Sequence, residues 1–398
     1  MKKNICMVAY TNYLSDARVR RAAETLAALP NYRVTVLVLR QSDTARTYEL
    51  SDVTIQELNL SKYRGKSSAK YMLEYMKFLF LALWACTNRF LKGSLDAVHV
   101  HNMPNFLVFS AIIPRTFGKR VVLDVHDTLI ETYASKFLES GTKTTHAILM
   151  RLLMFEESLS CRFASSIICV NHIQKKALTD RGIPNEKITV VLNAPDPRWF
   201  DSSKSLLDND TVNSPFRLVY FGTLTKRLGV DLAIRAVSAL SGSIPDLEFH
   251  VIGDGEQRAE FLRLSESLGV EKNVCFYEKI YPVDELSQIL QGMHLVIVPN
   301  RRNVATELML PVKMLEGVAL GIPIVAPRLK AIQYYFPDET VFYYEPGSVE
   351  SLGHVIRQAY ESKELRIAKA AKAREFLVEY GWERHRFELI NLYNRLCH

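Results

Sequence analysis

The stretch LPVKMLEGVALGIPIVAP, residues 310–327, sets Lys313 and Glu316 at the opening of an apolar run that ends in Gly-Ile-Pro. Pro311 suits a first helical turn, where its missing N–H is not needed, and Gly321 with Pro323 just beyond marks the stop. The preceding HLVIVPN (294–300) reads as a strand, so the helix begins at a strand's carboxyl end. A helix N-terminus there offers free N–H groups and a positive dipole end, which together make an anion site. Arg301, Arg302 and Lys313 add cations beside it, and a diphosphate would suit the position. Glu316 cannot bind an anion, but a carboxylate one turn in can accept two hydroxyl hydrogen bonds, as from the 2′- and 3′-OH of a ribose. A nucleoside diphosphate satisfies both halves of this charge pattern. The same pair would also serve as an exposed i,i+3 ion pair, with Glu316 favouring the helix dipole.

Other strand ends carry further candidates. LDVHD (123–127) puts His126 and Asp127 at a strand mouth. His99 and His101 in HVH fall on one face of a strand, and with Asp124 and His126 they have the chemistry of metal ligands. No further His or Cys motif follows, and the expectation is that no metal is bound. In TNYLSDARVRR, Asp16 either caps the helix that follows or, with Arg18, meets an acceptor or phosphate. GDGEQR lacks the spacing of a dinucleotide fingerprint, and neither GxSxG nor Walker A is present.

The elements that must position these residues alternate regularly. Apolar runs without alternation, at 4–10, 33–39, 96–101, 119–125, 166–170 and 188–192, are separated by helical patterns such as DARVRRAAETLAAL. Such runs suit strands covered on both faces, hence parallel sheets with helical crossovers. The pattern breaks in the polar WFDSSKSLLDNDTVNSP (199–215) and restarts with runs at 216–222, 247–253, 273–277, 294–300, 322–327 and 341–345. The fold class expected is α/β, with two doubly wound Rossmann-like domains facing across a cleft. Their spans are 1–198 for the acceptor side, 199–215 for the linker and 216–380 for the nucleotide side. A tail helix over 381–398 would pack back on the first domain.

The chain's 398 residues suffice for two domains, and a net charge of +7 is too small and dispersed to imply nucleic acid. Six scattered cysteines without a CxxC suit a reducing, cytoplasmic setting. FLFLALWAC (78–86) is far short of the roughly 20 residues that span a bilayer. It belongs to a helical pattern carrying Glu74 and Lys77, which is either a core helix or one whose apolar stripe lies in a membrane interface.

LPVKMLEGVALGIPIVAP, together with FRLVYFGTLTKRLGVDLAIRAV, LEFHVIGDGEQ, NICMVAYTNYLSDARVRRAAETLA, LDVHD and KITVVLNAPD, resembles the retaining glycosyltransferases of family four. The matches run in sequence order along nearly the whole chain. The resemblance implies the GT-B fold and transfer of a sugar from a nucleotide-sugar, a UDP- or GDP-sugar, to a glycan or polyprenyl-linked acceptor. Glu316 matches the glutamate that binds the donor ribose. The family's first signature glutamate falls on Leu308, so its role on the donor sugar passes to Glu307 or is lost. The positions of the family's diphosphate-holding Arg and Lys are Thr223 and Leu228, which are uncharged. Subfamily patterns point instead to Arg227 and Lys313 as the cationic pair, with Gly222, Thr223, Lys226 and Arg301 lining the donor side. His126 would face the donor sugar, and Asp16, Arg18 and Asp127 the acceptor. No cofactor and no nucleic-acid partner are implied. Surface polysaccharide biosynthesis at the inner face of the cell membrane fits the amphipathic helices at 70–92 and 144–163, which carry Lys70, Lys77, Arg89, Lys92 and Arg151. The rival readings are a nucleotide-sugar epimerase on the same fold and a non-catalytic glycosyltransferase-like partner.

Overall fold

The computed structural model describes residues 2–41, 45–63, 65, 67–137, 143–200, 215–277 and 281–397. Two compact units divide the chain, Met1–Leu192 with Glu383–His398, and Asn193–Trp382. Most of the polar stretch expected as a linker, 201–214, lies outside the described residues.

The first unit is built on eight strands: β1 (Lys3–Ala9), β2 (Tyr32–Leu39), β3 (Thr47–Leu50), β4 (Val53–Leu58), β5 (Ala97–His101), β6 (Arg120–Val125), β7 (Ser166–Cys169) and β8 (Ile188–Val190). Their spatial order is β3-β4-β2-β1-β5-β6-β7-β8, and every neighbouring pair is parallel except β3 with β4. The continuous apolar runs of β1, β5 and β6 are sealed on both faces, as parallel strands under helices must be. Phe78, Ala82, Ala85 and Cys86 of the helix Ser68–Leu91 share one core with Val98, Val100 and Leu123 of the sheet. The β3–β4 hairpin was not among the expected strands. It turns through Ser51 and Asp52, both at positive φ, as a two-residue hairpin of right-handed twist requires. The last helix, Trp382–Cys397, joins this unit, with Tyr393 hydroxyl 2.8 Å from His99 Nδ1 and Tyr32 donating to Asn394 at 3.0 Å.

The second unit holds β9 (Phe216–Phe221), β10 (Leu247–Ile252), β11 (Val274–Phe276), β12 (Leu295–Ile297), β13 (Ile324–Pro327) and β14 (Phe342–Tyr344). All are parallel, in the order β11-β10-β9-β12-β13-β14. The chain order reverses between β9 and β12, and in such sheets ligands bind outside the strand carboxyl ends at that switch point. In the first unit the corresponding reversal lies between β1 and β5. The helix Val312–Ala319 begins one residue later than expected. Pro311 stands at its N-cap, not in its first turn, and Gly321 follows its end at φ +73°.

Candidate functional site

In the first unit the chemistry gathers at the ends of β5 and β6. Parallel register sets His101 opposite Asp124, so the H-x-H of one strand and the D-x-H of the next bring four polar side chains together. His101 Nδ1 lies 3.0 Å from His126 Nε2 and 3.2 Å from Asp124 Oδ2, and His126 Nε2 lies 3.3 Å from the same oxygen. A carboxylate oxygen only accepts, so His126 directs its Nε2–H at Asp124, while the buried Nε2 of His101 has no hydrogen-bond partner among the described residues. His126, about one-fifth exposed, then keeps its Nδ1 as an acceptor for a ligand hydroxyl.

Arg18 corrects an expectation. It does not face an acceptor: its buried guanidinium grips both oxygens of Asp124, with Nε–Oδ2 at 3.2 Å, and donates to the Val191 carbonyl at 3.1 Å. Burial by itself would raise the Asp124 carboxyl, but Arg18, His126 and the ring hydrogen bonds outweigh it and hold Asp124 well below the usual carboxylate range. Asp16 acts as a helix cap, accepting from Val19 N–H at 3.1 Å. Asp127 is exposed, and its backbone carbonyl accepts from Asn102 at 2.7 Å. Asn102 also accepts from His126 N–H at 2.7 Å, tying the end of β5 to the end of β6. It was overlooked in the sequence, where only its place directly after HVH could have drawn notice.

His99, His101 and Asp124 offer ligand atoms within 4.8 Å of one another, the donor set of a transition-metal site. Arg18 already neutralises Asp124, however, and a second cation on that carboxylate would meet the guanidinium's charge. Burial holds His99 below its ordinary range, His101 down to about 3 and His385 down to about 4. The unfolded chain therefore takes up these protons first as the pH falls, and stability declines from about pH 6.5 downward. Glu157, which burial raises to about 7, and Glu156, which burial also raises, work in the opposite sense, two groups against four once His250, likewise lowered by burial, is counted. The urea midpoint is expected to drop between pH 7 and pH 5, and a midpoint that holds or rises would refute the neutral-histidine assignment.

In the second unit the switch point is crowded with the residues named from the sequence. β9 ends at Gly222, whose φ of +126° and missing side chain both matter. A Cβ there would stand 3.0 Å from the Nζ of Lys313, which reaches back from its helix to lie 3.8 Å from the centroid of the Tyr220 ring. Tyr220 is itself fixed by donating to the Thr223 carbonyl at 2.6 Å. Lys313 as a residue is partly exposed, but its nitrogen is inaccessible to solvent and has no hydrogen-bond partner among the described residues. Burial, helped by the charge of Arg227 and opposed by Glu316, brings its pKa down to about 7. Gly229, at φ +68°, lets the turn Lys226–Leu228 close on the Pro299 carbonyl, which a Cβ would approach to 2.0 Å. This close approach sets Arg227 beside the loop after β12, and Arg301 N–H donates to the Arg227 carbonyl at 3.1 Å.

Lys313, Arg227, Gly222, Thr223 and Glu316 thus share one corner, while Lys226 is exposed on the same turn. Two other candidates turn away. Arg301 pairs with Asp231 in the first turn of the helix Val230–Leu240. Glu307 accepts from Lys330 N–H at 2.7 Å and lies 3.1 Å from Arg302 Nε, so both of its oxygens are held by protein groups. From the sequence, the missing glutamate's role passes to Glu307 or to no residue, and these contacts are what Glu307 makes in the free protein. Tyr220 was missed, since nothing in VYFG shows that a cation will lie on its ring.

Two parallel-sheet units, each wound about a switch point with its polar groups at the strand ends, define the GT-B architecture. Sucrose-phosphate synthase from Thermosynechococcus elongatus shares it with a TM-score of 0.80, at 16% identity over 99% of both chains. Anabaena HepE in complex with UDP-glucose does so at 0.71, with 15% identity over 98% of this chain and 100% of that one. The family model for group 1 glycosyl transferases matches residues 206–376, and that for Glycosyltransferase Family 4 matches residues 17–199. The chain belongs to the group 1 glycosyltransferases of family four. Lipopolysaccharide glucosyltransferase WaaG of Escherichia coli K12 is 28% identical over 162 residues, 40% of this chain and 41% of that protein. The alignments span about half the length of the curated relatives, 41%, 54% and 64% for three of them.

Proposed function

We propose that the protein is a retaining glycosyltransferase that moves a sugar from a UDP- or GDP-sugar to a saccharide or lipid-linked acceptor in surface glycan synthesis. The observation that carries this reading is the solvent-shielded, unpaired Lys313 nitrogen at the second unit's switch point, with Glu316 three residues further along the same helix. A diphosphate beside Gly222 would give Lys313 its missing partner, Arg227 would add a second cation, and Glu316 would take the ribose hydroxyls. HepE, a fold neighbour, is described in complex with UDP-glucose, which supports a donor of this kind. Cleavage of the anomeric C–O bond places negative charge on the departing diphosphate, and preorganised cations stabilise that charge most where water is excluded. Retention then follows from same-face attack within an ion pair, the leaving phosphate oxygen taking the acceptor's proton. His126 Nδ1 serves a sugar hydroxyl, and no metal is required because the charge is met by side chains.

Calorimetric titration with UDP, GDP, ADP and TDP tests the donor assignment. One nucleotide is expected to bind, and Glu316→Gln to weaken it by about tenfold or more, the cost of losing a charged hydrogen-bond acceptor. Binding that is indifferent to this change would remove the ribose role.

A lipid-linked acceptor is supported by the surface of the first unit. The helix Ser68–Leu91 exposes Phe80, Trp84 and Leu91, and the helix Lys143–Phe163 exposes Leu152 and Phe155. Both pack against the segment Asn105–Ala111, so the apolar residues belong to neighbouring elements, with Lys77, Arg89, Lys92 and Arg151 among them. No helix among the described residues is long and apolar enough to cross a membrane. Exposed apolar residues with cations on the same helices suit the interface of an anionic bilayer. The protein is expected to sediment with phosphatidylglycerol vesicles, to detach in high salt, and to lose binding in a Trp84→Glu, Phe155→Glu double variant. Equal binding to neutral vesicles would sink the electrostatic part of this reading.

A further inference from the structure

Lys313 is an unusual cation site. Its nitrogen sits on the Tyr220 ring and against Gly222, shielded from water, with no acceptor among the described residues. A ring face attracts an ammonium, but only weakly compared with the hydration that burial removes. The charged and titratable groups around it are few. Glu316 lies on its own helix, Arg227 approaches from the turn after β9, and Tyr220 forms the floor. Beyond Arg227, Arg301 is neutralised by Asp231. Glu316 favours the charged form more than the Arg227 guanidinium opposes it, so burial of the unpartnered nitrogen is what disfavours the ammonium. Burial pushes the Tyr220 phenol well up, so it stays neutral throughout the neutral range.

Resting on the diphosphate reading of this corner, we propose that capture of the donor is coupled to uptake of one proton at Lys313, the site meeting the anion as a mixture of amine and ammonium and holding it as ammonium. The step is R–NH2 + H+ → R–NH3+, with the proton drawn from solvent and no other bond made or broken. A diphosphate within hydrogen-bond reach supplies the acceptor that the Lys313 nitrogen lacks and adds its negative charge to that of Glu316, and this restores the lysine to its ordinary range. Release of the nucleoside diphosphate returns the proton. Free Lys313 titrates at about 7, so uptake is small at pH 6 and approaches one proton at pH 8. By linkage, affinity weakens on the alkaline side toward about tenfold per pH unit, amounting to between ten- and a hundredfold from pH 7 to 9.

The experiment is calorimetric titration of the intact protein with UDP-glucose, GDP-mannose and ADP-glucose in phosphate, HEPES and Tris buffers at pH 6, 7, 8 and 9. Nucleotide-sugars are the right probes because their diphosphate has no terminal phosphate group to titrate. The apparent enthalpy is expected to vary with buffer ionisation enthalpy, with a slope near one proton taken up at pH 8 and near zero at pH 6. Lys313→Arg, charged at every pH used, should bind with no buffer dependence and an affinity level from pH 7 to 9. Binding by the native protein without buffer dependence at pH 8 overturns the proposal and leaves the donor reading standing. So does equal proton uptake in Lys313→Arg. If none of the three probes binds, the donor reading falls and the proposal with it. The native titration decides the matter even if the arginine variant is poorly folded.

Discussion

Lys313→Met is expected to lower donor turnover by about 10²- to 10³-fold while raising the melting temperature by several degrees. The two effects have one cause. In the free protein the lysine holds its nitrogen away from water without a partner, at a cost to folding that an apolar side chain of similar length does not incur. Its pKa of about 7 lies below that of an unfolded lysine, so the unfolded chain holds more protons between those values. The penalty is full below pH 7 and shrinks as the pH rises toward 10.5. The stabilisation in the methionine variant should therefore be larger at pH 6 than at pH 9. Calorimetric melting at both values, with donor hydrolysis measured beside it, checks both halves. A variant that melts lower, or that turns over donor at the native rate, contradicts the assignment. Stability given up at a working site is a common trade in enzymes.

Arg18→Met should destabilise the first unit by about 3–5 kcal/mol, the usual cost of removing one partner from a buried ion pair. Asp124 would be left with its charge buried and only imidazole donors, and the Val191 carbonyl would lose the guanidinium. The double change Arg18→Met, Asp124→Asn should recover part of the loss, because the stranded charge is gone. Urea unfolding of both variants and the native protein gives the comparison. A single-variant loss below about 1 kcal/mol would mean that the pair is exposed or loosely made.

Strands sealed on both faces were the most legible part of the fold, because unbroken apolar runs such as CMVA in β1 have few other uses. The β3–β4 hairpin escaped notice because alternate residues of TYEL face solvent and dilute the apolar signal. The second unit's site was readable as charge at a helix start, since Lys313 and Glu316 are close in sequence. That Lys313 is buried was not readable, because it depends on Tyr220 and Gly222, some ninety residues earlier. Arg18 misled for the same reason. On its own helix it looks like one of three surface arginines, and only Asp124, 106 residues away, turns it inward. Glu307 was judged by its proximity to a missing glutamate, while the backbone N–H that fixes one of its oxygens, that of Lys330, lies 23 residues further on. Backbone register and periodicity are local properties, and the pairing of charges is not.

The return of residues 383–397 to the first unit has a consequence for how the protein is made. Tyr393 bonds to His99 beside the histidine cluster, and Leu389 and Leu392 are buried. That segment leaves the ribosome only after all of the second unit, so the first unit cannot finish its core in the order in which its strands are translated. The second unit, though later in the chain, is contiguous and can close first. During synthesis the earlier unit waits, incomplete, for a helix encoded some two hundred codons downstream of its last strand.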